Sequence, residues 1–274
     1  VIIKIFVGCD PKNCDLDQMI VLDYSIRKNT VQGCDITWMR LSHDPESPFY
    51  SDPESGRGWR TERWATPFTG FRWAIPELCG FKGRAIYLDA DVIVLCDLAE
   101  LWTHPFDKDS FLLAKNRDIR TNHGTCVFDC ESVRNHIPSL QKLRKNPKSN
   151  SKVKRRLKRK PALITEYKDE TYNCIDGENV DLKNIKILHY SDMGTQFSHR
   201  HSIPRIEKEG GEHWFDGVIR PHPRPDLTEL FDRYYADAIE NGYNLDDYRS
   251  EPFGAFPKRS QKNYKNRMTP NTRE

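Results

Sequence analysis

The sequence predicts an α/β protein, with a mixed, mainly parallel sheet flanked by helices. Three observations predict it. A strand-like run at 4–8, a helical pattern at 17–27 and a second strand at 35–41 make a β-α-β opening, which favours parallel strands with helices on their faces. A nearly unbroken apolar run at 85–95 reads as a buried strand. A late apolar strand at 185–190 and an amphipathic helix at 226–242 continue the alternation.

The elements follow from local chemistry. Lys4-Ile5-Phe6-Val7-Gly8 is a short apolar strand, and Cys9-Asp10-Pro11-Lys12-Asn13 after it is turn-forming. Met19, Ile20, Leu22 and Ile26 recur at helical spacing. Residues 42–64 form a long polar loop rich in Pro and Gly. Loops of that length are usually functional or disordered, and Trp59-Arg60-Thr61-Glu62-Arg63-Trp64 argues for order. A helix is expected over 66–78, ending at Gly80, then the strand at 85–95 and a short helix at 97–102. Further strands are expected at 111–114 and 125–128, and the strand at 185–190 carries His189 near its end. Leu227, Leu230, Phe231, Tyr234, Tyr235, Ala238 and Ile239 build the apolar face of the helix at 226–242. The expected organisation is one domain over 1–250, with a basic, solvated insertion at 142–161 and a basic tail at 251–274.

Composition narrows the class. The chain has 274 residues, enough for one large core, and at 30% charged it carries a generous polar surface. No stretch reaches the ~18 apolar residues of a membrane span. No signal-like segment precedes the first strand, and none of the eight cysteines forms a Cys-x-x-Cys pair. Reduced cysteines and a cytoplasmic location are therefore expected. Net charge is only +3, but residues 142–160 hold eleven Lys and Arg and no acid. Without them the chain has 32 basic against 40 acidic residues.

Three Asp-x-Asp triplets occur: Asp15-Leu16-Asp17, Asp89-Ala90-Asp91 and Asp107-Lys108-Asp109. The first and third lie in polar, turn-rich surroundings, where a solvated loop suffices. The second sits between Tyr87-Leu88 and Val92-Ile93-Val94. Burying two unpaired carboxylates costs several kcal/mol per ion, unless the strand ends at a cleft and a cation neutralises them. Ligands in α/β sheets bind beyond the carboxyl ends of strands, where this pair falls. His189 also ends an apolar strand, and it reads either as a packed histidine or as the nitrogen ligand of a mixed site. Imidazole suits Mn²⁺ better than Mg²⁺.

Strand-Gly8-Cys9-Asp10, Phe71-Arg72-Trp73-Ala74-Ile75-Pro76 ahead of Tyr87-Leu88-Asp89-Ala90-Asp91, and a late Leu188-His189-Tyr190 together resemble glycosyltransferase family 8. These are enzymes of the Rossmann-like GT-A fold that use nucleotide-sugar donors. The resemblance covers residues 1–130 and, more loosely, 172–200. It implies that Asp89 and Asp91 hold a divalent metal on the donor's diphosphate, with His189 as third ligand. It further implies that Gly8, Cys9 and Asp10 line the nucleotide pocket, and that Arg72 stands near the phosphates or the Asp cluster. His123-Gly124-Thr125-Cys126-Val127-Phe128 resembles the family's Asn-x-Gly-Val segment, so Asn122, His123 and Gly124 become candidate sugar contacts and Ala90 the link of the metal motif. By this resemblance the chain looks like a divergent relative. The family's later His-x-x-Gly-x-x-Lys-Pro-Trp is only partly matched after His189 and its Lys is absent, leaving Arg200 or His199 for a phosphate. Its Asp-Gln-Asp segment has no close counterpart, with Asp169-Glu170-Thr171-Tyr172-Asn173 nearest.

The expected function is a metal-dependent hexosyltransferase, retaining by the resemblance. It would use Mn²⁺ or Mg²⁺ and a UDP-linked sugar, with a glycan or other molecule as acceptor. A sugar nucleotidyltransferase would need a Gly-rich, Lys-containing loop after the first strand, and Gly8-Cys9-Asp10-Pro11-Lys12 is a poor version. A non-catalytic basic protein binding polyanions is the alternative from another class. The stretch 142–160 is either a solvated insertion or a surface for an anionic membrane or acidic glycan. It lacks the interleaved aromatics that nucleic acid would call for. Trp59, Arg60, Arg63 and Trp64 read equally as a sugar-acceptor platform or as a packed Trp pair.

Overall fold

The computed structural model describes residues 1–115, 124–167 and 169–260. Chain order runs β1 (Ile3–Gly8), α1 (Leu16–Asn29), β2 (Cys34–Met39), the short hairpin β3 (Ser51–Asp52) and β4 (Arg57–Gly58), α2 (Ile75–Leu78), β5 (Arg84–Asp89), β6 (Val92–Val94), α3 (Leu98–Thr103), β7 (Leu112–Ala114) and β8 (Thr125–Asp129). There follow α4 (Leu140–Lys145), α5 (Ser149–Arg159), β9 (Ile164–Glu166), β10 (Cys174–Ile175), β11 (Ile187–His189), α6 (His199–Lys208) and α7 (Pro225–Glu240).

A six-stranded sheet in the order β2-β1-β5-β8-β7-β9 organises the molecule. β1 runs parallel to both β2 and β5, while β8 runs antiparallel to β5 and β7. Alternation places successive side chains on opposite faces. Ile5, Val7, Ile86, Leu88, Leu113 and Val127 join α1 and α7 in one core layer. Phe6, Tyr87, Leu112, Cys126 and Phe128 join the other. With both faces covered, the strands need continuous apolar sequence, which is why 85–95 reads as one run. The architecture is mixed α/β, as the pattern predicts.

The run is nevertheless two strands. β5 stops at Asp89, the chain turns at Ala90 and Asp91, and β6 enters a separate sheet ordered β10-β11-β6. Hydrophobicity cannot reveal that break, because both strands are buried.

The helix expected over 66–78 shrinks to a 3-10 turn at Phe71–Ala74 and the single turn of α2. Gly70 packs so tightly on Trp64 that a Cβ there would stand 2.2 Å from Cζ2. Trp59 and Trp64 are 3% exposed and meet Phe71 edge-on, with ring centroids at 5.1 and 5.4 Å. This Trp pair is core packing, and an acceptor platform is excluded by its burial.

The basic stretch is folded rather than a solvated excursion. It forms α4 and α5, whose Leu143, Val153 and Leu157 are buried in the second core layer. Apolar side chains four apart suffice to seat α5, and its cations face outward. Of the tail, residues 261–274 lie outside the described residues. No helix among the described residues is long and apolar enough to cross a membrane. All eight cysteines are free thiols.

Candidate metal and donor site

The site is built where three strands reach one sheet edge. Gly8, at the end of β1, pairs with Asp89, at the end of β5. The Asp89 amide donates to the Gly124 carbonyl at 2.7 Å, just ahead of β8. Asp91 follows in the turn, and the Tyr190 amide donates to its carbonyl at 3.0 Å, which draws the end of β11 alongside. His189 Nε2 thereby stands 3.3 Å from Asp91 Oδ1 and 3.8 Å from Asp89 Oδ2. One ligand atom from each of the three side chains lies within 4.8 Å of the others.

These residues fit a divalent cation. Around one ion with bonds of ~2.1 Å, neighbouring ligand atoms stand roughly 3 Å apart, so small rotations complete the set. Two carboxylate oxygens and an imidazole nitrogen are a donor set for Mn²⁺ more than for Mg²⁺. Space is kept open for them by a glycine: a Cβ on Gly124 would stand 2.0 Å from His189 Cε1 and 3.0 Å from Asp89 Oδ2.

Arg72 belongs to the Asp cluster. Its Nη2 donates to Asp89 Oδ1 at 3.0 Å and to the Tyr87 hydroxyl at 3.1 Å, and that hydroxyl donates to the same Oδ1. Burial pushes the Tyr87 hydroxyl well above its usual pKa, with Arg72 pulling the other way, so it remains a donor. Burial pushes the His189 imidazole down, but Asp91 and then Asp89 outweigh it and leave its pKa raised. A raised histidine favours the protonated protein below its pKa and loses that contribution as pH rises through it. A cation must displace this proton. If these three side chains hold Mn²⁺, its affinity should fall about tenfold per pH unit below the His189 pKa, with one proton released per ion. Calorimetry in buffers of different ionisation enthalpy checks this; a flat profile between pH 5 and 8 would remove His189 from the site.

The remaining expected residues divide. Cys9 and Ala90 are buried in the core layer under the sheet, so their side chains face away from the edge. Asp10 caps the next turn: its Oδ2 accepts from the amides of Lys12 at 2.7 Å and Cys14 at 2.8 Å, while Oδ1 is buried without a partner. Asn122 and His123 lie outside the described residues. Arg200 pairs with Asp232 at 2.9 Å, and His199 is buried.

One expectation fails outright. Asp15 and Asp17 are not solvated but 6% and 1% exposed. Arg205 Nη2 holds Asp17 at 2.9 Å. Asp15 Oδ2 accepts from the Asp10 amide at 2.9 Å, and burial followed by the Asp10 charge pushes its carboxyl well above the usual range. Asp107 and Asp109 are exposed, as expected.

Two buried amides beside the ligands are not among the expected site residues. Asn173 Oδ1 faces His189 Nδ1 at 3.0 Å, and Gln196 Nε2 donates to Asp91 Oδ2 at 2.7 Å. Their only sequence signal is proximity: Asn173 ends the polar 169–173 segment and Gln196 follows His189 by seven residues.

No family model matches the chain, and no curated protein matches it. Solved structures do. The galactosyltransferase LgtC, in complex with donor and acceptor sugar analogs, aligns at TM-score 0.51 and 14% identity over 86% of this chain and 96% of that one. The glycosyltransferase GlyE of Streptococcus pneumoniae aligns at 0.53 and 14% over 92% of this chain and 65% of its own. The bifunctional WbbM aligns at 0.50 and 15% over 69% of this chain, which spans only 45% of WbbM. At such identities the likeness is one of architecture: this chain shares the GT-A-like fold of these structures.

Proposed function

We propose that the protein is a metal-dependent hexosyltransferase, a divergent member of glycosyltransferase family 8, that takes a sugar from a UDP-linked donor to a glycan-type acceptor. The observation that carries the reading is the convergence of Asp89, Asp91 and His189 at the carboxyl edge of the sheet. When bound, the metal supplies charge stabilisation to the departing diphosphate. The chain's own residues do the rest. Asp89 and Asp91 anchor the ion, and Arg72 balances part of their charge. Gly8 lets Phe68 and the Tyr87 hydroxyl pack against the end of β1, since a Cβ there would stand 2.9 Å from Phe68 Cδ2 and 3.0 Å from the Tyr87 oxygen. Asp10 Oδ1, buried and unpartnered, is available to an N–H donor such as the imide of uracil.

The test is nucleoside-diphosphate release across a panel of nucleotide sugars, with Mn²⁺ and with chelator. Turnover of a UDP-hexose that needs Mn²⁺ is expected, with retention read by NMR of the product anomer. No turnover and no binding across the panel would overturn the reading.

The outer faces of α4 and α5 fit an anionic membrane surface. Lys142, Lys145, Lys152, Arg155 and Lys158 are exposed on them, and Lys148 is exposed in the turn between them. At ~1 kcal/mol per cation near anionic lipid, a few contacts give weak docking. Co-sedimentation with phosphatidylglycerol vesicles should be clear at 50 mM salt, weak at 500 mM and lost in a Lys152→Glu/Arg155→Glu/Lys158→Glu variant. Salt-independent or absent sedimentation of the parent protein would exclude this partner.

A further inference from the structure

Each of the three inward ligand atoms belongs to a side chain whose outer polar atom is already held. Asp89 Oδ1 is held by Arg72 and Tyr87. His189 Nδ1 meets Asn173 Oδ1 at 3.0 Å, and Asp91 Oδ2 accepts from Gln196 Nε2 at 2.7 Å. The Gln196 amide is itself fixed on both sides. Its Nε2 also donates to the Tyr190 carbonyl, and its Oε1 accepts from Gln18 Nε2 at 3.1 Å. Gln18 belongs to α1 and donates in turn to Ser198 Oγ at 2.8 Å. Asn173, Gln196 and Gln18 are 0%, 4% and 7% exposed, so water does not compete for these bonds.

From this arrangement, and resting on the metal-dependent reading above, we propose that Asn173 and Gln196 are positioning residues of the cation site. Asn173 offers Nδ1 an acceptor, which places the neutral imidazole's proton there and leaves the Nε2 lone pair facing the carboxylates. Gln196, braced from α1 by Gln18, fixes the rotation of the Asp91 carboxylate so that Oδ1 faces His189. Both are neutral amides for chemical reasons. A Lys or Arg in place of Gln196 could donate to Asp91 equally well, but its charge would oppose the incoming cation, and in place of Asn173 neither could accept from Nδ1–H. The single cation among the holders, Arg72, leaves Asp89, Asp91 and neutral His189 with a net charge of −1 to attract the metal.

The experiment is Mn²⁺ titration of the full chain, without nucleotide, following the free ion by electron paramagnetic resonance, with a thermal melt of each variant. Gln196→Leu and Asn173→Leu should each weaken binding by about 10- to 100-fold. Gln18→Leu, one bond further out, should weaken it by about 2- to 10-fold, about the lower end of such outer effects. Asn173→Asp keeps an acceptor for Nδ1–H and should bind Mn²⁺ at least as tightly as the parent. A packing role alone would not separate Asp from Leu in that direction. Should the two Leu variants fail to fold, Asn173→Asp and Gln18→Leu carry the test. Binding within twofold of the parent in a folded Gln196→Leu, or Asn173→Asp as weak as Asn173→Leu, would overturn the proposal. A parent protein that binds no Mn²⁺ would overturn the metal-dependent reading itself.

Discussion

Replacing Asp91 with asparagine should lower metal-dependent transfer about a thousandfold while leaving the fold intact. The side chain keeps its shape but loses the charge that anchors the ion opposite His189 Nε2, 3.3 Å away. An ion contributes several kcal/mol of transition-state stabilisation at a departing oxyanion, and about 4 kcal/mol corresponds to that factor. Stability should not fall with it. In the metal-free protein the change relieves the repulsion between Asp89 and Asp91 but gives up the attraction of Asp91 for His189, so the melting temperature should stay close to the parent's. The measurement is turnover at saturating Mn²⁺ beside a thermal melt. Near-normal turnover in this variant would remove Asp91 from the metal site.

Gly124→Ala should be nearly as damaging, through one methyl group. The added Cβ would stand 2.0 Å from His189 Cε1 and 2.4 Å from Nδ1. His189 is 5% exposed and hemmed in, so it must rotate away and give up its bond to Asn173. Overpacking of this kind costs about 1–3 kcal/mol of stability, and displacing a ligand should reduce Mn²⁺ affinity by roughly 100-fold or more, as loss of supporting contacts does at its upper end. Backbone strain is not the cause, because Gly124 is absent from the glycines with positive φ. Gly33→Ala is the control, since a Cβ there meets nothing nearer than 4.0 Å. In a His189→Ala background Gly124→Ala should cost little more, because the clash it creates is gone. An additive loss in the double variant would show that Gly124 acts elsewhere.

The residues differ in how they came to be readable. Asp89 and Asp91 stood out because charge inside an apolar run is costly enough to need a reason, whereas the same triplet at 107–109 does not stand out. Asp15 and Asp17 show the limit of that logic. Their flanks look polar, yet α6 and α7 reach the start of α1, and Asp17 takes Arg205, 188 residues away in the chain, and Tyr235 as partners. The helix at 149–159 was hidden by its own charge, since only Val153 and Leu157 mark its buried stripe. The strand break at Ala90 was hidden for the opposite reason, because apolar residues on both sides of it are buried in different sheets.

Local pattern by itself determined the β-α-β opening, the apolar strands, the α7 stripe and the pair of carboxylates, because period and flanking hydrophobicity are properties of neighbouring residues. The family resemblance pointed to Arg72 beside that pair, and tertiary structure alone decided the rest of what holds it. Arg72 lies 17 residues before Asp89, Gly124 opens the space beside it, Asn173 reaches His189 from a 3-10 turn 16 residues before it, and Gln196 reaches Asp91 from 105 residues beyond it. A hydrogen bond between distant segments leaves no period in the sequence. Its partners are chosen by where the folded chain brings them, and at this sheet edge they turn a costly pair of buried charges into a place for a cation.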